Sequence, residues 1–377
     1  PEIVERKKQG LPEMAVLRES DAAYYLREEA GGMILGIYEK GAPACYVDGP
    51  SDDCQYELFN GELERLMPHI DACINRVPAF GEVGIKDIYN GAIAYTPDGN
   101  PIVGPAPGLK NFWLNEGHSF GITAAGGAGW QLAEWIVDGE PTVDMMGVDP
   151  RRFGPYATRG YLREKNEEAY SNVFTTHYPD EERGAARPLK TAPCYDRMKA
   201  LGAVFGSVYG WERPNWFMPS ADYELTSEEL NQADPSKVIL NKNHSKPMED
   251  GRIVEKNSFR RSNYFEHVGN ECKHVNEKVG LLDMSAFAKC VVKGSGAEAW
   301  LEYIFANKMP KAIGRISLVH MLSLNGGVRA EFTVYKTGPK SYYLVSAGAF
   351  EAHDHDYLFK LAPKDGTVNI QRVTTQT

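Results

Sequence analysis

Several features that would assign a function class outright are missing from this chain. No apolar run approaches the ~20 residues needed to cross a bilayer, so no membrane association is expected. No basic stripe interleaves with aromatic residues, and the net charge is −10, which argues against nucleic acid as a partner. No C-x-x-C pair occurs. The six cysteines (Cys45, Cys54, Cys73, Cys194, Cys272 and Cys290) stand singly along the chain. That usage fits free thiols in a reducing compartment better than a disulfide framework or a zinc site. The chain opens PEIVERKKQG, without Met, signal peptide or transit-like segment, and stops at RVTTQT just after a strand-like run. Both ends are expected to be interior points of a longer protein.

What remains is ordinary material for packed domains. With 377 residues and 42% hydrophobic content, roughly two or three domains can form. The run YYLREEAGGMILGIY, Tyr24 to Tyr38, has an Ala-Gly-Gly turn between two apolar stretches and predicts a hairpin. Leu58 to Ile74 has helical spacing, with Leu63, Leu66 and Ile70 on one side. From Asp149 to about Pro193 the chain is charged and low in aliphatics. An extended, poorly packed connector is expected there, with one helix around Arg159 to Val173. A third region begins near Ala203. It holds a polar loop from Ser220 to Asn257, a helix from Ser262 to Val279, and then alternating strands. Asn325-Gly326-Gly327 lies between SLVHMLSL and VRAEFTVYK and predicts another hairpin.

The stretch from Asn111 to Gly139, NFWLNEGHSFGITAAGGAGWQLAEWIVDG, is the richest in chemistry. It sets five glycines, Gly117, Gly121, Gly126, Gly127 and Gly129, between an aromatic run and an amphipathic helix. Bare backbone at a positive helix terminus suits a phosphate or an anionic ring edge. Close helix–sheet packing explains Gly126 and Gly129 equally well, and both explanations stay open. The same stretch contains GHSFG, which matches the nucleophile elbow of serine hydrolases. An elbow follows an apolar strand, and Asn115 and Glu116 are polar. A triad would take Asp144 or Asp149 and then His177 from the connector.

Two weaker motifs favour structural roles. GSGAEA, Gly294 to Ala299, matches G-x-G-x-x-A between a strand and a helix, but no acid follows at the spacing a dinucleotide site wants. A tight strand-to-helix turn is expected instead. His353 and His355 are two apart in HDHD and point away from each other on a helix, so a solvated helix start is expected. The other histidines are isolated, and no metal site is assigned.

Longer blocks bring a resemblance. Pro101 to Pro105 (PIVGP), Phe112-Trp113, GHSFGITAAGGAG and LAEWI resemble the closing segment of amine-oxidising flavoproteins of the D-amino-acid oxidase and sarcosine dehydrogenase type. More specific are FGSVYGWERPNWF (Phe205 to Phe217), FRRSNYFE (Phe259 to Glu266) and GLLDMS (Gly280 to Ser285), with GRI (Gly314 to Ile316) and NGGVRAEFTV (Asn325 to Val334). Together, and in order along the chain, they resemble the dimethylglycine and sarcosine dehydrogenase family. There a flavin domain is fused to a folate-binding domain like the aminomethyltransferase of glycine cleavage.

The resemblance implies a multidomain α+β fold. Residues 1–150 would be the C-terminal part of a D-amino-acid-oxidase-like FAD and substrate domain. Residues 151–205 would be a central connector, and 206–377 the N-terminal part of an aminomethyltransferase-like folate domain. It implies oxidation of a methylated glycine by hydride transfer to FAD, with the one-carbon unit passing to tetrahydrofolate. Ser119, Phe120, Gly121, Ile122, Thr123 and Ala124 would lie against FAD, with the N–H groups of Gly121 and Ile122 near its pyrimidine edge. Tyr24, Tyr25 and Arg27 would wall the substrate pocket. Arg27 would pair with a substrate carboxylate, or else form a surface salt bridge.

Arg329, Ala330 and Glu331 would meet the folate. Glu331 would be the catalytic carboxylate, where the glycine-cleavage enzyme carries Asp. Alternation puts Arg329, Glu331 and Thr333 on one strand face and Val328, Ala330, Phe332 and Val334 on the other. Expected partners are a small methylamine substrate and an electron-transfer flavoprotein as candidate acceptor, in a bacterial cytoplasm or a mitochondrial matrix. The family's G-x-G-x-x-G turn and its flavin-linking histidine are not in this stretch, nor is the second half of the folate domain. Two other functions share the pattern. One is a non-catalytic regulatory paralogue, like the pyruvate dehydrogenase phosphatase regulatory subunit. The other is a serine hydrolase acting through Ser119.

Overall fold

The computed structural model describes residues 2–55, 57–227, 248 and 251–375. Strands and helices are mixed, in an α+β arrangement that divides into two compact units. One unit gathers residues 1–100, 158–186 and 223–265; the other gathers 101–157, 187–222 and 266–377. The connector is thus shared between the two.

In the first unit the expected hairpin forms from Tyr24–Glu29 and Gly32–Ile37, with Leu17–Glu19 added on the Tyr24 side. Its turn residues, Ala30 and Gly31, both have positive φ, +47° and +83°. A two-residue turn of that kind matches the right-handed twist of the flanking strands. Tyr24 and Leu26 point inward and pack on Cys73 of the Leu63–Arg76 helix. Tyr25 points the other way, and its ring lies over Gly36, where an added Cβ would sit 2.0 Å from Tyr25 Cε1. The expected connector helix spans Arg159–Ser171, capped by the Thr158 hydroxyl. Tyr170 from its last turn and Phe174 just beyond stack with Tyr38, at centroid separations of 5.4 and 4.5 Å.

The second unit is built on a five-stranded antiparallel sheet. Its order is Ile316–Leu322, Val328–Gly338, Ser341–Ser346, Ala288–Lys293 and Asn369–Arg372. Helices Ala297–Ile304 and Glu351–Leu361 cover one face, placing Trp300, Leu301 and Leu358 against Val292, Phe332 and Leu344. The Asn325-Gly326-Gly327 segment joins the first two strands as the dipeptide predicts, with Gly326 at φ +82°. Gly294 and Gly296 make the strand-to-helix turn expected of GSGAEA. Gly294 has φ +134°, and a Cβ there would lie 2.0 Å from the Thr367 carbonyl oxygen. The turn needs glycine because another backbone passes against it.

Two expectations are corrected. HDHD does begin a helix, but it is not solvated: His353, Asp354 and His355 are buried. Period alone does not reveal that this end of the helix packs inward. The opening of the connector is likewise not loosely packed. Asp149 and Arg151 are both buried and paired, joined by Asp356 at 2.8 Å from Arg151 Nη1. Charge-rich composition concealed an internal ion-pair network. The polar loop expected over 220–257 lies mostly outside the described residues.

Candidate functional site

The glycine stretch forms a strand, a turn and a helix. Trp113–Glu116 pairs with Ile102–Pro105, Gly117 turns at φ +69°, and the helix spans Gly121–Asp138. The glycines therefore lie within the helix rather than ahead of it. Its second half is anchored by Trp135, which is buried against Gly104; a Cβ at Gly104 would meet the Trp135 ring at 2.9 Å. Its first half is bare. A Cβ at Gly126, Gly127 or Gly129 would meet nothing within 4 Å among the described residues. Among the described residues no other segment closes on these glycines. Ile122 is fully exposed and Trp130 is two-thirds exposed on the same helix.

The helix N-terminus is open chemically as well. Phe120 stands at the N-cap and is half-exposed, and no side chain caps the helix. The first backbone bond runs from the Ala124 N–H to the Phe120 carbonyl, 3.2 Å. By helix geometry the N–H groups of Gly121, Ile122 and Thr123 have no partner within the helix. Beside them, Ser119 Oγ and His118 Nδ1 are buried and lack hydrogen-bond partners, while His118 Nε2 contacts Asn115 Oδ1 at 2.7 Å. Buried polar atoms in native proteins are normally satisfied, so orphans beside free helix donors fit a polar ligand. They do not form a hydrolase triad. Ser119 Oγ touches no imidazole, and Asp149, a triad carboxylate by sequence, is held by Arg151 at 2.5 Å.

The second cluster lies on the Val328–Gly338 strand. Phe332 and Val334 point into the core, and Ala330 packs against it. Glu331 faces outward, with its side chain 58% exposed. Register sets His320 directly opposite, and His320 Nε2 lies 3.3 Å from Glu331 Oε2. At the register shift between Met321–Ala330 and Leu322–Val328, Arg329 turns toward the Glu351–Leu361 helix and is covered. Its guanidinium sits 4.5 Å over the Tyr357 ring, with Nη2 3.4 Å from His353 Nε2 and Nη1 3.5 Å from Glu140. Burial pulls the Arg329 guanidinium below its usual range. Its Nε is buried without a partner. Buried Glu140, just after the helix C-cap Gly139, also accepts the Leu324 N–H at 2.7 Å. The end of the glycine helix is thereby tied to the hairpin that leads into Arg329 and Glu331.

The chain matches three families in sequence. Residues 2–135 match the FAD dependent oxidoreductase family, 138–192 the FAD dependent oxidoreductase central domain, and 194–377 the GCVT N-terminal domain. It is similar over its whole length to mitochondrial dimethylglycine dehydrogenase of Mus musculus, 34% identical and covering 40% of that protein. Mitochondrial sarcosine dehydrogenase of Homo sapiens is 29% identical over 94% of this chain and 40% of its own. The chain is thus similar along essentially its whole length to dimethylglycine and sarcosine dehydrogenases. The mitochondrial pyruvate dehydrogenase phosphatase regulatory subunit of Mus musculus is 28% identical over 94% of this chain and 38% of its own. The chain spans about 40% of the length of the curated dehydrogenases it matches.

Other family motifs prove to be framework. In the WERP block Trp211, Glu212 and Trp216 are buried, and Glu212 holds Arg187 through two contacts of 2.6 and 2.9 Å. On the hairpin of the first unit, Tyr24 is a fully buried core residue whose hydroxyl faces the Cys73 thiol. Tyr25 is half-buried on the opposite face, and Arg27 pairs with its near neighbour Glu29. That pairing is the surface salt bridge weighed for Arg27. Sequence reading missed His320, Asn307, Glu140 and His353. Hairpin register identifies His320 opposite Glu331; the other three depend on tertiary contacts. No helix among the described residues is long and apolar enough to cross a membrane.

Proposed function

We propose that this chain serves a flavin- and folate-dependent enzyme that oxidatively demethylates dimethylglycine or sarcosine. The observation that carries this is the uncapped glycine helix with two orphaned buried polar atoms beside its free donors, in a chain whose relatives oxidise methylated glycines by name. Bound FAD would supply hydride acceptance from the N-methyl carbon. Ser119, Phe120, Gly121, Ile122, Thr123 and Ala124 would hold its ring. The N–H groups of Gly121 and Ile122 would stabilise negative charge developing at the pyrimidine edge.

The substrate loses hydride from carbon and becomes an iminium. Tyr25 and Arg27 line one face of the strand assigned to the substrate pocket, with Tyr24 behind them; Arg27 would exchange Glu29 for the substrate carboxylate. In the second half-reaction a tetrahydrofolate nitrogen attacks the iminium carbon. The C=N electron pair returns to the amine nitrogen, and Glu331 takes the proton released from the folate nitrogen. Arg329 and Ala330 would border the same folate site. An electron-transfer flavoprotein is the proposed electron acceptor, and the mitochondrial matrix the compartment if the source is a eukaryote.

The test is an amine panel on the flavin-loaded protein under anaerobic conditions, with and without tetrahydrofolate. Dimethylglycine or sarcosine should bleach the flavin, and with tetrahydrofolate present 5,10-methylenetetrahydrofolate should appear in place of released formaldehyde. Bleaching by no amine would instead support a regulatory paralogue, the function named for one 28%-identical relative.

A further inference from the structure

Asn307, His320 and Glu331 form a connected line on the outer face of the folate-side sheet. The His320 backbone N–H donates to Asn307 Oδ1 at 3.0 Å, which fixes the orientation of the Asn307 amide. His320 Nδ1 lies 3.2 Å from the same oxygen. An amide oxygen only accepts, so Nδ1 carries a proton. The other ring nitrogen, Nε2, then faces Glu331 Oε2 at 3.3 Å. With Nδ1 protonated, the Nε2 lone pair of a neutral ring is placed to accept a proton that reaches Glu331. Hairpin register enforces the arrangement, because His320 and Glu331 are directly opposed Cα partners. The remaining charge nearby on the strand, Arg329, is turned aside to Tyr357, His353 and Glu140.

We propose that His320, locked by Asn307, is the positioning residue of the one-carbon transfer site. It aims the Glu331 carboxylate and shares the proton that Glu331 removes from the folate nitrogen. The role rests on the folate half of the proposed function. In the transfer, a folate nitrogen lone pair forms the new N–C bond while the iminium C=N pair returns to the substrate nitrogen; the folate N–H bond then breaks, leaving its electron pair on that nitrogen. The proton goes to the Glu331–His320 pair, which returns it to the substrate amine as the amine's bond to the carbon breaks, and the second folate nitrogen, losing its own proton to solvent, closes on that carbon.

The experiment uses the flavin-loaded protein and three variants: His320→Gln, Asn307→Leu and Asn307→Asp. Three quantities are read: anaerobic flavin reduction by dimethylglycine, tetrahydrofolate affinity by anaerobic titration, and the ratio of 5,10-methylenetetrahydrofolate to free formaldehyde. His320→Gln should leave flavin reduction unchanged and tetrahydrofolate affinity within about threefold. It should lower the folate-trapping rate about 10- to 100-fold, as expected when a reacting group is misplaced. Asn307→Leu should behave alike, while Asn307→Asp, which keeps an acceptor for Nδ1, should restore trapping. The His320 ring is about one-third exposed, so the glutamine variant should fold. Normal trapping by His320→Gln in an enzyme whose wild type couples to folate would overturn the role of His320 alone. A wild type that yields no 5,10-methylenetetrahydrofolate would overturn the folate half as well.

Discussion

Glu331 and Phe332 are adjacent in sequence and face opposite sides of one strand, so they separate chemistry from stability. Phe332 is 1% exposed and packs 5.1 Å, centroid to centroid, from Phe305. Truncation to alanine removes a whole ring from a close-packed core and should cost about 3–5 kcal/mol. Glu331 is more than half exposed, and its one ionic contact among the described residues, His320, is itself near solvent. Glu331→Gln keeps the shape and removes the charge, and should change stability by no more than about 0.5 kcal/mol. Its effect on folate trapping should be large, about 10²–10⁴-fold, the range for loss of a general base. The assay pairs urea denaturation with the formaldehyde-to-methylenetetrahydrofolate ratio, each on the flavin-loaded protein. Phe332→Leu, which conserves most of the volume, should keep both properties close to wild type. The assignment of Glu331 fails if Glu331→Gln traps folate normally. The packing argument fails if Phe332→Ala unfolds no more readily than Glu331→Gln.

Three further outcomes follow from the framework. Gly294→Ala should destabilise the folate-side unit, by about 1–3 kcal/mol from backbone conformation alone and more from the Thr367 carbonyl in its way; thermal melting reads this directly. Glu212→Gln removes the buried carboxylate that faces the largely covered Arg187 side chain and should cost about 3–5 kcal/mol, measured by denaturant titration. Hydrogen bonds from Lys336, Tyr342 and Lys311 hold the Glu298 carboxyl down at about 2, against an ordinary 4.5. A depressed carboxylate stabilises the fold above its unfolded pKa, so that contribution should fade as pH falls from about 4.5 toward 2. Glu298→Gln should flatten the acid limb of a stability-against-pH curve, and an unchanged limb would refute the assignment.

Local rules reached a long way into this molecule. The Ala-Gly-Gly and Asn-Gly-Gly segments made the turns expected of them, with Gly31 and Gly326 at positive φ, because hairpin turns are decided within a few residues. Gly294 and Gly296 read correctly as a tight turn for want of a matching acid. The alternation of Val328 to Val334 placed Phe332 and Glu331 on the proper faces. Val328 itself departs from it and is exposed, beside a register shift near Leu322. Family resemblance, carried by long specific blocks such as the one around Trp211, reached function further than any single motif.

Other properties depend on which surfaces meet, and no local pattern encodes that. HDHD has the composition of a solvated helix start, yet His353, Asp354 and His355 are buried. Asp149 and Arg151 look like connector charges and are internal partners. The glycines of Gly121–Asp138 suit either packing or a ligand, and among the described residues the space around Gly126, Gly127 and Gly129 is open. Alternation assigns Arg329 and Glu331 one strand face, yet they differ in fate, because a register shift at Arg329 turns it to Tyr357, His353 and Glu140 and leaves Glu331 open. Sequence set the turns, the periodicities and the lineage, since these rest on neighbours along the chain. Tertiary structure chose which charges are buried, which glycines are bare and which histidine stands against Glu331, since these rest on contacts between distant segments.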